Sequence, residues 1–441
     1  MADISATGSG LSRRDFLQAG ALASGALLAG CAVNPVTGQS QLMLLGQGDE
    51  IAIDRANAPH QFSSDYGVSQ DARLAAYLDG FGRRMAAQTH RPGMPYRFVP
   101  VNAVYVNAYA FPGGSVAATR GILLSLGSED ALAALLGHEF GHVNARHTAA
   151  QMSTGIVLSL ALAGAASLAG SRYADLAAGL GGIASGALLA RYSRDDERQA
   201  DALSLEYLTR AGYHPAGLLE LMDVLRKLER EKPSALEQMF ASHPMSEERY
   251  RTAERRISAL PATGPQPAAS RERYLDETAA LRRDAAAIQR LQEAERLLMA
   301  KKPDRAVESA AAALRDAPAD YAGLLIMAKC QLALRRFGEA ERHALAGAAA
   351  YPAEPQARHL TGVARLGLGR FDAALAEFDA YERLLPGNPY TVFFQGRSHE
   401  GLGRKRQAGE RYASFLKQVN EGEEAKYAAQ RLREWGMLPK S

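Results

Sequence analysis

The sequence predicts an α+β fold in which a mainly helical domain with a small β-sheet, residues 32–260, is followed by an all-α superhelix, residues 285–435. Apolar residues recur at helical spacing along much of the first region, and a short stretch before residue 120 alternates as strands do. Beyond residue 284, small and apolar residues recur every 34 positions, a spacing typical of stacked helix pairs. With 441 residues, 47% of them hydrophobic, the chain is long enough to build both cores.

Residues 1–31 have the pattern of an export signal. The pair Arg13-Arg14 precedes an apolar run that is shorter than the roughly 20 residues a membrane-spanning helix needs. The pair resembles a twin-arginine signal, and the Leu-Ala-Gly-Cys sequence ending at Cys31 resembles a bacterial lipobox. That resemblance implies cleavage before Cys31 and acylation of Cys31, and the absence of aspartate at Ala32 favours the outer membrane. The alternative is an uncleaved N-terminal anchor.

Basic and acidic side chains nearly balance, at 51 and 48, which gives a formal net charge of +3. The sequence has no run of basic residues with interleaved aromatics, so nucleic-acid binding is not predicted. The second cysteine, Cys330, lies in an apolar helical stretch and is expected to be a buried core residue. If Cys31 is acylated, no disulfide within the chain is expected.

Short elements precede the central motif. A helix is predicted over Asp71–Gln88, followed by strands at Tyr96–Val101, Val104–Phe111 and Ser115–Thr119, the last two joined by a Pro-Gly-Gly turn. If Val104–Phe111 is an exposed edge strand, it can bind an extended peptide through backbone hydrogen bonds. The alternative is a hairpin that belongs to the core.

Residues Gly155–Ala190 are unusually apolar and rich in alanine, glycine and leucine. Each half is short for a membrane span, so we expect packed helices. Membrane contact and a mobile gate over a cleft are the alternatives, the latter because glycine weakens helices. Prolines cluster at residues 261–267, and we expect residues 261–284 to form a linker and a leading helix.

The central motif is a helix predicted over Ser128–Arg146, with Ser128 as its N-cap. It carries the sequence His-Glu-Phe-Gly-His from His138 to His142. Residues four apart share a helix face, so the two histidines can bind one Zn²⁺, with Glu139 beside the attacking water as general base. Apolar neighbours bury the helix, and burying these groups without a metal would cost several kcal/mol unless each were paired. We therefore predict one zinc ion per chain.

A zinc site that hydrolyses peptides needs a third protein ligand and one open position. The polar stretch at residues 193–201 offers Asp195, Asp196 and Glu197, and spacing alone does not choose among them. Asp201 lies four residues after Glu197 and could hydrogen-bond the outer nitrogen of a ligating histidine, which fixes its tautomer. The alternative is a solvated, charged helix face.

Four sequence features together resemble the zinc metallopeptidase family of the CAAX prenyl proteases and HtpX. They are the motif helix, residues 193–201, the turn at residues 112–114 and the Asn-Pro-Val-Thr-Gly sequence from Asn34. The resemblance covers roughly residues 34–260 and implies a zincin-type fold. It implies that His138, His142 and Glu197 bind zinc, with Glu139 as base and Asp201 in support.

The same resemblance places His243 and Arg249 at the site. There they would stabilise the oxyanion of the tetrahedral intermediate, an effect worth roughly 3–4 kcal/mol per donor. One alternative makes His243 a fourth zinc ligand, and another leaves both residues in a structural loop. His147, which lies off the face of His142, is expected to support the site rather than to bind metal.

The C-terminal repeats have the pattern of tetratricopeptide repeats, with period 34 and proline closing each second helix. The positions that keep register are Ala306, Ala340, Ala374 and Ala408, together with Pro318, Pro352 and Pro386. Such repeats stack into a superhelix whose concave surface binds polypeptide, and a structural spacer is the alternative. An exported zinc peptidase with these repeats resembles a type of protease that works in outer-membrane protein quality control.

The sequence thus predicts an exported, lipid-anchored zinc metalloendopeptidase on the periplasmic side of the envelope, as an outer-membrane lipoprotein. Its expected substrates are misfolded or misassembled envelope proteins. The expected partners are these proteins, the outer-membrane assembly machinery through the repeats, and the membrane through the lipid anchor. The alternative is a chaperone or assembly scaffold with a latent zinc site.

Overall fold

The computed structural model describes residues 31–157, 192–231, 237–260 and 267–438. The predicted export signal before Cys31, most of the apolar segment Gly155–Ala190 and the proline-rich residues 261–266 lie outside these ranges. Within the described ranges, no helix combines the length and apolarity that a membrane crossing requires.

Two small sheets accompany the helices. Strands β1 (Cys31–Val33) and β2 (Ser40–Leu42) form an antiparallel pair. The other sheet has the order β3 (Arg97–Val101), β5 (Ser115–Thr119), β4 (Ala108–Ala110), so within the described ranges β4 lies at an edge and pairs with β5. Strand β5 runs parallel to β3 and antiparallel to β4.

The predicted strand Val104–Phe111 is wrong in extent, because only Ala108–Ala110 is a strand. The backbone carbonyls of two residues before this strand are hydrogen-bonded by a side chain. The Thr119 hydroxyl donates to the carbonyls of Tyr105, at 2.5 Å, and Asn107, at 3.0 Å. Thr119 ends β5, and its backbone nitrogen also donates to the Asn107 carbonyl at 3.0 Å. The hydroxyl bonds replace regular strand pairing at residues 105–107, which a periodicity analysis cannot anticipate.

Helices form the rest of the molecule. They are α1 (Gln47–Ser64), α2 (Ala72–Ala86), α3 (Arg120–Ser125), α4 (Glu129–Asn144), α5 (residues 147–157), α6 (Arg194–Arg210), α7 (Gly217–Glu231), α8 (Glu237–Ser242), α9 (Glu247–Ser258), α10 (Pro267–Glu277), α11 (Ala279–Arg283), α12 (Ala285–Met299), α13 (Pro303–Asp316), α14 (Tyr321–Ala333), α15 (Phe337–Ala350), α16 (Gln356–Gly367), α17 (Phe371–Leu384), α18 (Pro389–Gly401), α19 (Lys405–Leu416) and α20 (Glu423–Glu434). Together with the small sheet, they confirm the predicted fold class.

The motif helix α4 is buried along its whole length, between α6 and α7. Its start follows the predicted cap, since the Ser128 hydroxyl accepts a hydrogen bond from the backbone nitrogen of Ala131. Gly141 allows close packing on α6, because a Cβ at this position would lie 2.8 Å from Ala200 Cα. The site residues on α4 and α6 are therefore held face to face.

Residues 267–283, predicted as part of a linker and a leading helix, form two helices packed onto the first region. Tyr274 is fully buried and donates to the carbonyl of Leu123 at 2.6 Å. The Ser270 hydroxyl accepts a hydrogen bond from the backbone nitrogen of Asp130 at 3.0 Å. This stretch is therefore part of the core that supports α4.

The C-terminal region repeats its packing contacts at the predicted 34-residue interval. A Cβ at Gly362 would lie 2.6 Å from the Phe378 ring, and one at Gly396 would lie 2.6 Å from the Tyr412 ring. The small residues thus lie where paired helices approach most closely. Likewise, a Cβ at Gly367 would lie 2.3 Å from the Phe337 ring, and one at Gly401 would lie 2.3 Å from the Phe371 ring.

One apolar core runs from the first region into the repeats, from Ala58 to Leu360. A smaller core closes the C-terminal end around Phe393 and Tyr412. Cys330 is fully buried in the first core, as predicted, and burial raises the pKa of its thiol to about 12.

Candidate metal centre

Three elements bring four potential ligands together. His138 and His142 come from α4, Glu197 from the first turn of α6, and His243 from the residues that follow α8. One ligand atom from each lies within 4.8 Å of the others, and all four side chains are buried. The polar start of α6 is set by a local signal, because Ser193 and Asp196 form a capping box.

The spacing of these atoms fits a small tetrahedral ion. His138 Nε2 lies 3.1 Å from His142 Nε2 and 3.3 Å from His243 Nδ1. Glu197 Oε1 lies 3.4 Å from His142 Nε2 and 2.9 Å from His243 Nδ1. Ligands bound to zinc at about 2.0–2.1 Å in a tetrahedron are separated by roughly 3.3 Å. The donor set therefore matches Zn²⁺ in both chemistry and size.

Hydrogen bonds at the outer nitrogens turn the lone pairs inward. His138 Nδ1 lies 3.1 Å from Asp201 Oδ1, so it carries the proton and Nε2 carries the lone pair. His147 Nε2 lies 2.9 Å from Gln199 Oε1, which can only accept. His147 Nδ1 is then an acceptor, and His142 Nδ1, 2.9 Å away, must donate to it.

The pKa directions of His142 and His147 agree with this assignment, whereas for His138 burial would lower the pKa but Glu197 and Asp201 raise it. Burial lowers the pKa of both His142 and His147, so both rings are neutral at pH 7. Two inward lone pairs at 3.1 Å repel each other unless a cation lies between them. The sequence expectation that His147 supports the site is consistent with its position, one hydrogen bond behind His142.

Glu139 is buried but has no hydrogen-bond partner for either carboxylate oxygen among the described residues. The nearest base is His243 Nε2, 3.9 Å from Glu139 Oε1. Burial raises the pKa of Glu139 above its ordinary value. An unpartnered buried carboxylate is costly to the fold, and its position beside the ligands is the one required of a general base.

Arg249 reaches the site from behind the ligands. Its Nη1 lies 2.5 Å from Glu197 Oε2, and its Nε and Nη2 each lie 2.7 Å from an oxygen of Asp201. Burial alone would raise the pKa of Asp201, but Arg249 holds it below its ordinary value. Burial would also raise the pKa of Glu197, but the imidazole of His138 outweighs it. Arg249 thus keeps Asp201 charged and orients both carboxylates.

The sequence analysis missed Tyr192, which lies directly before the capping box of α6. Its ring stacks on His142, with centroids 3.7 Å apart and an interplanar angle of 21°. Its hydroxyl lies 3.0 Å from the Thr148 hydroxyl, and its backbone nitrogen donates to the carbonyl of Ser242 at 3.2 Å. Tyr192 therefore links the His142 ring to the segment that carries His243.

A buried ion cluster that the sequence analysis also missed holds the end of α4. Glu50 accepts from Arg91 Nη2 at 2.6 Å and from Arg146 Nε at 2.9 Å. Arg91 Nη1 donates to the carbonyl of Val143 at 2.9 Å. No local pattern could reveal this cluster, because Glu50 lies far from the motif in sequence.

The unpartnered Glu139 lies beside two inward imidazoles and a carboxylate that could hold a metal with them, which is the arrangement of a zinc metallopeptidase. The comparison with known proteins gives the family. Residues 72–257 match the model of peptidase family M48. Together with the relatives described next, this match shows that the chain belongs to the M48 family, which confirms the predicted family resemblance.

Three relatives illustrate the match. Metalloprotease YcaL of Escherichia coli K12 is 32% identical over 192 residues, which are 42% of this chain and 74% of that protein. The beta-barrel assembly-enhancing protease of Yersinia pestis is 29% identical over 50% of this chain and 44% of that protein. Its Escherichia coli K12 counterpart is 27% identical over 43% and 40%. The chain thus spans less than half the length of these two assembly-enhancing proteases.

Proposed function

We propose that this protein is an exported, lipid-anchored zinc metalloendopeptidase that cleaves misfolded or misassembled envelope proteins. The observation that carries the peptidase proposal is Glu139, a buried carboxylate without a partner next to four converging ligand atoms. Its location and substrates are supported by the lipobox-like sequence before Cys31 and by similarity to beta-barrel assembly-enhancing proteases.

Each residue has a defined task in this proposal. His138, His142 and Glu197 hold the metal. Bound zinc would polarise the attacking water and lower its pKa towards neutrality. Glu139 accepts the proton of that water and later delivers it to the leaving amine, and its raised pKa makes the delivery easier.

Two residues hold the metal-binding side chains in the orientation that metal binding requires. Asp201 fixes the tautomer of His138, and Arg249 holds both Asp201 and Glu197 in place. In the structure Arg249 bonds these two carboxylates, so we assign it a positioning role instead of the expected oxyanion contact.

His243 occupies the position of a fourth ligand in this structure. Its Nδ1 lies 2.9 Å from Glu197 Oε1 and 3.3 Å from His138 Nε2. We infer that this arrangement is a resting state, because a peptide-hydrolysing site needs an open position. His243 then has to move away before a substrate can bind, after which it is free to face the oxyanion.

Strand β4 lies next to the site at the edge of its sheet within the described residues. Ala108, Tyr109 and Ala110 are buried, which favours the alternative of a hairpin that belongs to the core. Pairing of an extended peptide with β4 through backbone hydrogen bonds therefore requires that the residues covering this edge move aside. The repeats would bind substrates or assembly partners through their helical surface.

Cleavage of casein and of a misassembled outer-membrane protein by the wild type and by Glu139→Gln tests the peptidase proposal. The wild type should cleave both and the variant neither, while Glu421→Gln, an exposed glutamate, should behave as wild type. Equal cleavage by wild type and Glu139→Gln would refute the proposal and leave the scaffold alternative.

Metal analysis of the purified chain supplies an independent test. One zinc per chain is expected in the wild type and in Glu139→Gln, because Glu139 does not bind the ion. His142→Ala should lose most of its zinc, since only one imidazole of the pair on α4 remains.

A further inference from the structure

The leader that follows Cys31 is folded into a tight hairpin. Strands β1 and β2 pair Cys31 with Leu42, and the buried Asn34 closes the turn between them. The Asn34 carboxamide oxygen accepts from the backbone nitrogens of Val36, at 2.8 Å, and Thr37, at 3.2 Å. The leader is therefore a built structure and not a flexible tether.

This hairpin is bonded to the residues that come directly after the motif helix α4. The Asn34 amide donates to the carbonyl of Ala145 at 3.3 Å. Arg146 Nη2 donates to the carbonyl of Leu45 at 2.7 Å, and the Ser153 hydroxyl accepts from the backbone nitrogen of Leu44 at 2.9 Å. Three separate contacts thus fix the leader to residues 145–153.

The distance from Cys31 to these contacts is short. Asn34 is three residues beyond Cys31, and an extended chain spans at most about 3.3–3.6 Å per residue, which limits the separation to roughly 10 Å. Ala145 is in turn the C-cap residue of α4 and follows His142 closely in the chain. The exposed apolar side chain of Val33, at 65% exposure, lies between the anchor residue and the first contact.

We propose that the leader hairpin is a rigid, short strut that holds the C-terminal end of the zinc helix next to the membrane surface, so that the enzyme cuts membrane-attached polypeptides close to the bilayer. This inference rests on the proposed function, since it assumes both acylation at Cys31 and peptidase activity. It adds a substrate class: chain segments that emerge from a membrane within a short distance of the lipid headgroups.

The strut can be lengthened without touching the site. Inserting twenty Gly/Ser residues after Cys31 adds a flexible linker with an average span of roughly 25 Å. The acylated full chain and this variant are reconstituted in liposomes with a membrane-anchored, unstructured casein segment, and the cut sites are mapped by mass spectrometry. Wild-type cuts should cluster near the bilayer, and the variant's cuts should extend outward by roughly seven residues.

Cleavage of soluble casein, added to the same vesicles, distinguishes a failure of the strut proposal from a failure of the proposed peptidase function. Both proteins should cleave it at equal rates, because the insertion leaves the site unchanged. Equal casein rates with identical cut positions on the anchored substrate would overturn the strut. No cleavage of casein by either protein would count against the proposed function instead.

A distance measurement tests the strut proposal independently of peptidase activity. A fluorophore on Thr154→Cys, an exposed position on α5, can transfer energy to acceptors on the lipid headgroups, and the buried Cys330 does not compete for the label. Transfer should be efficient in the acylated protein and clearly weaker in the linker variant. Equal transfer in the two proteins would overturn the proposal even if neither cleaved casein.

Discussion

Two of the polar clusters among the described residues differ in how their polar atoms are paired. The zinc-site cluster consists of His138, Glu139, His142, Glu197 and His243, with Asp201 and Arg249 behind it. The interface cluster consists of Asp65, Tyr66, Glu295 and Lys329, and it lies where the first region meets the repeats.

The interface cluster is satisfied by protein groups. The hydroxyls of Tyr105 and Tyr109 each donate to one oxygen of Asp65 at 2.5 Å. Tyr66 donates to Glu295 at 2.6 Å and accepts from Lys329 at 2.9 Å. Among the described residues, no fully buried side-chain atom of this cluster lacks a hydrogen-bond partner.

The carboxylates of the zinc-site cluster do not all have protein hydrogen-bond partners among the described residues. With neutral imidazoles it contains three carboxylates, those of Glu139, Glu197 and Asp201, against one guanidinium. This is a formal excess of two negative charges, which one Zn²⁺ balances. The comparison teaches that buried carboxylate oxygens without a hydrogen-bond partner mark a ligand site, whereas buried carboxylate oxygens that accept from protein groups mark a structural contact.

The largest expected effect is a loss of peptidase activity at the zinc-site cluster, and it tests whether the unpartnered carboxylate there serves catalysis or the fold. Glu139→Gln should lower kcat/KM for casein by about 10²–10⁴-fold, because the general base is lost. The melting temperature of the metal-free variant should stay the same or rise, since a buried, unpartnered carboxylate is removed. A clear drop in the melting temperature would show that Glu139 is a structural residue.

The next largest effect is on stability at the interface cluster. Lys329→Met removes the cation that faces Asp65 and Glu295 and should lower the free energy of unfolding by about 3–5 kcal/mol at pH 7, measured with urea. Burial raises the pKa of both carboxyls, so they take up protons readily as the pH falls. The loss should therefore shrink at lower pH.

The exposed Lys405→Ala is the matched control for this experiment, and it should change stability by less than about 0.5 kcal/mol. Cleavage of casein by the folded Lys329→Met protein should be unaffected. A loss of activity without a loss of stability would mean that the two clusters are not separate in function.

A smaller effect is expected where α4 packs on α6. Gly141→Ala places a Cβ 2.8 Å from Ala200 Cα and should cost about 1–3 kcal/mol of stability. Because the two helices carry ligands on facing sides, we also expect zinc affinity to fall by about tenfold. Gly338→Ala, at an open helical position on α15, is the control and should be neutral or stabilising.

The smallest effect concerns an ion pair between the first region and the repeats. Asp320 forms a two-pronged ion pair with Arg120, with Nη2 and Oδ1 3.2 Å apart. Burial would raise the pKa of Asp320, but the charge of Arg120 holds it below the ordinary 3.8. A depressed pKa stabilises the fold above pH 3.8, and this contribution is lost as the pH falls through the folded value.

Asp320→Asn keeps the helix cap on Gly323 but removes the charge. It should cost about 1.5 kcal/mol at neutral pH, and the gap to wild type should narrow below pH 3.8, as urea unfolding at several pH values would show. A gap that is constant with pH would mean that the ion pair does not contribute to the docking of the repeats.

The sequence predicted those parts of the molecule that depend on near neighbours. The Ser128 cap, the i, i+4 pair of His138 and His142, and strand β5 are local patterns, and the structure contains each of them. The 34-residue repeat is longer, but it is periodic and is visible without coordinates. The extent of β4 was predicted wrongly because Thr119 bonds the preceding carbonyls.

Only the tertiary structure decided how distant residues meet. The family resemblance named Glu197 and His243, but no local pattern gives their distances from the two histidines or the stacking of Tyr192 on His142, which depend on contacts across many residues. The interface cluster around Lys329 likewise has no local signal. The physical reason is that periodicity reports which face of an element is buried, whereas the balance of buried charge is set by whichever elements the fold brings alongside it.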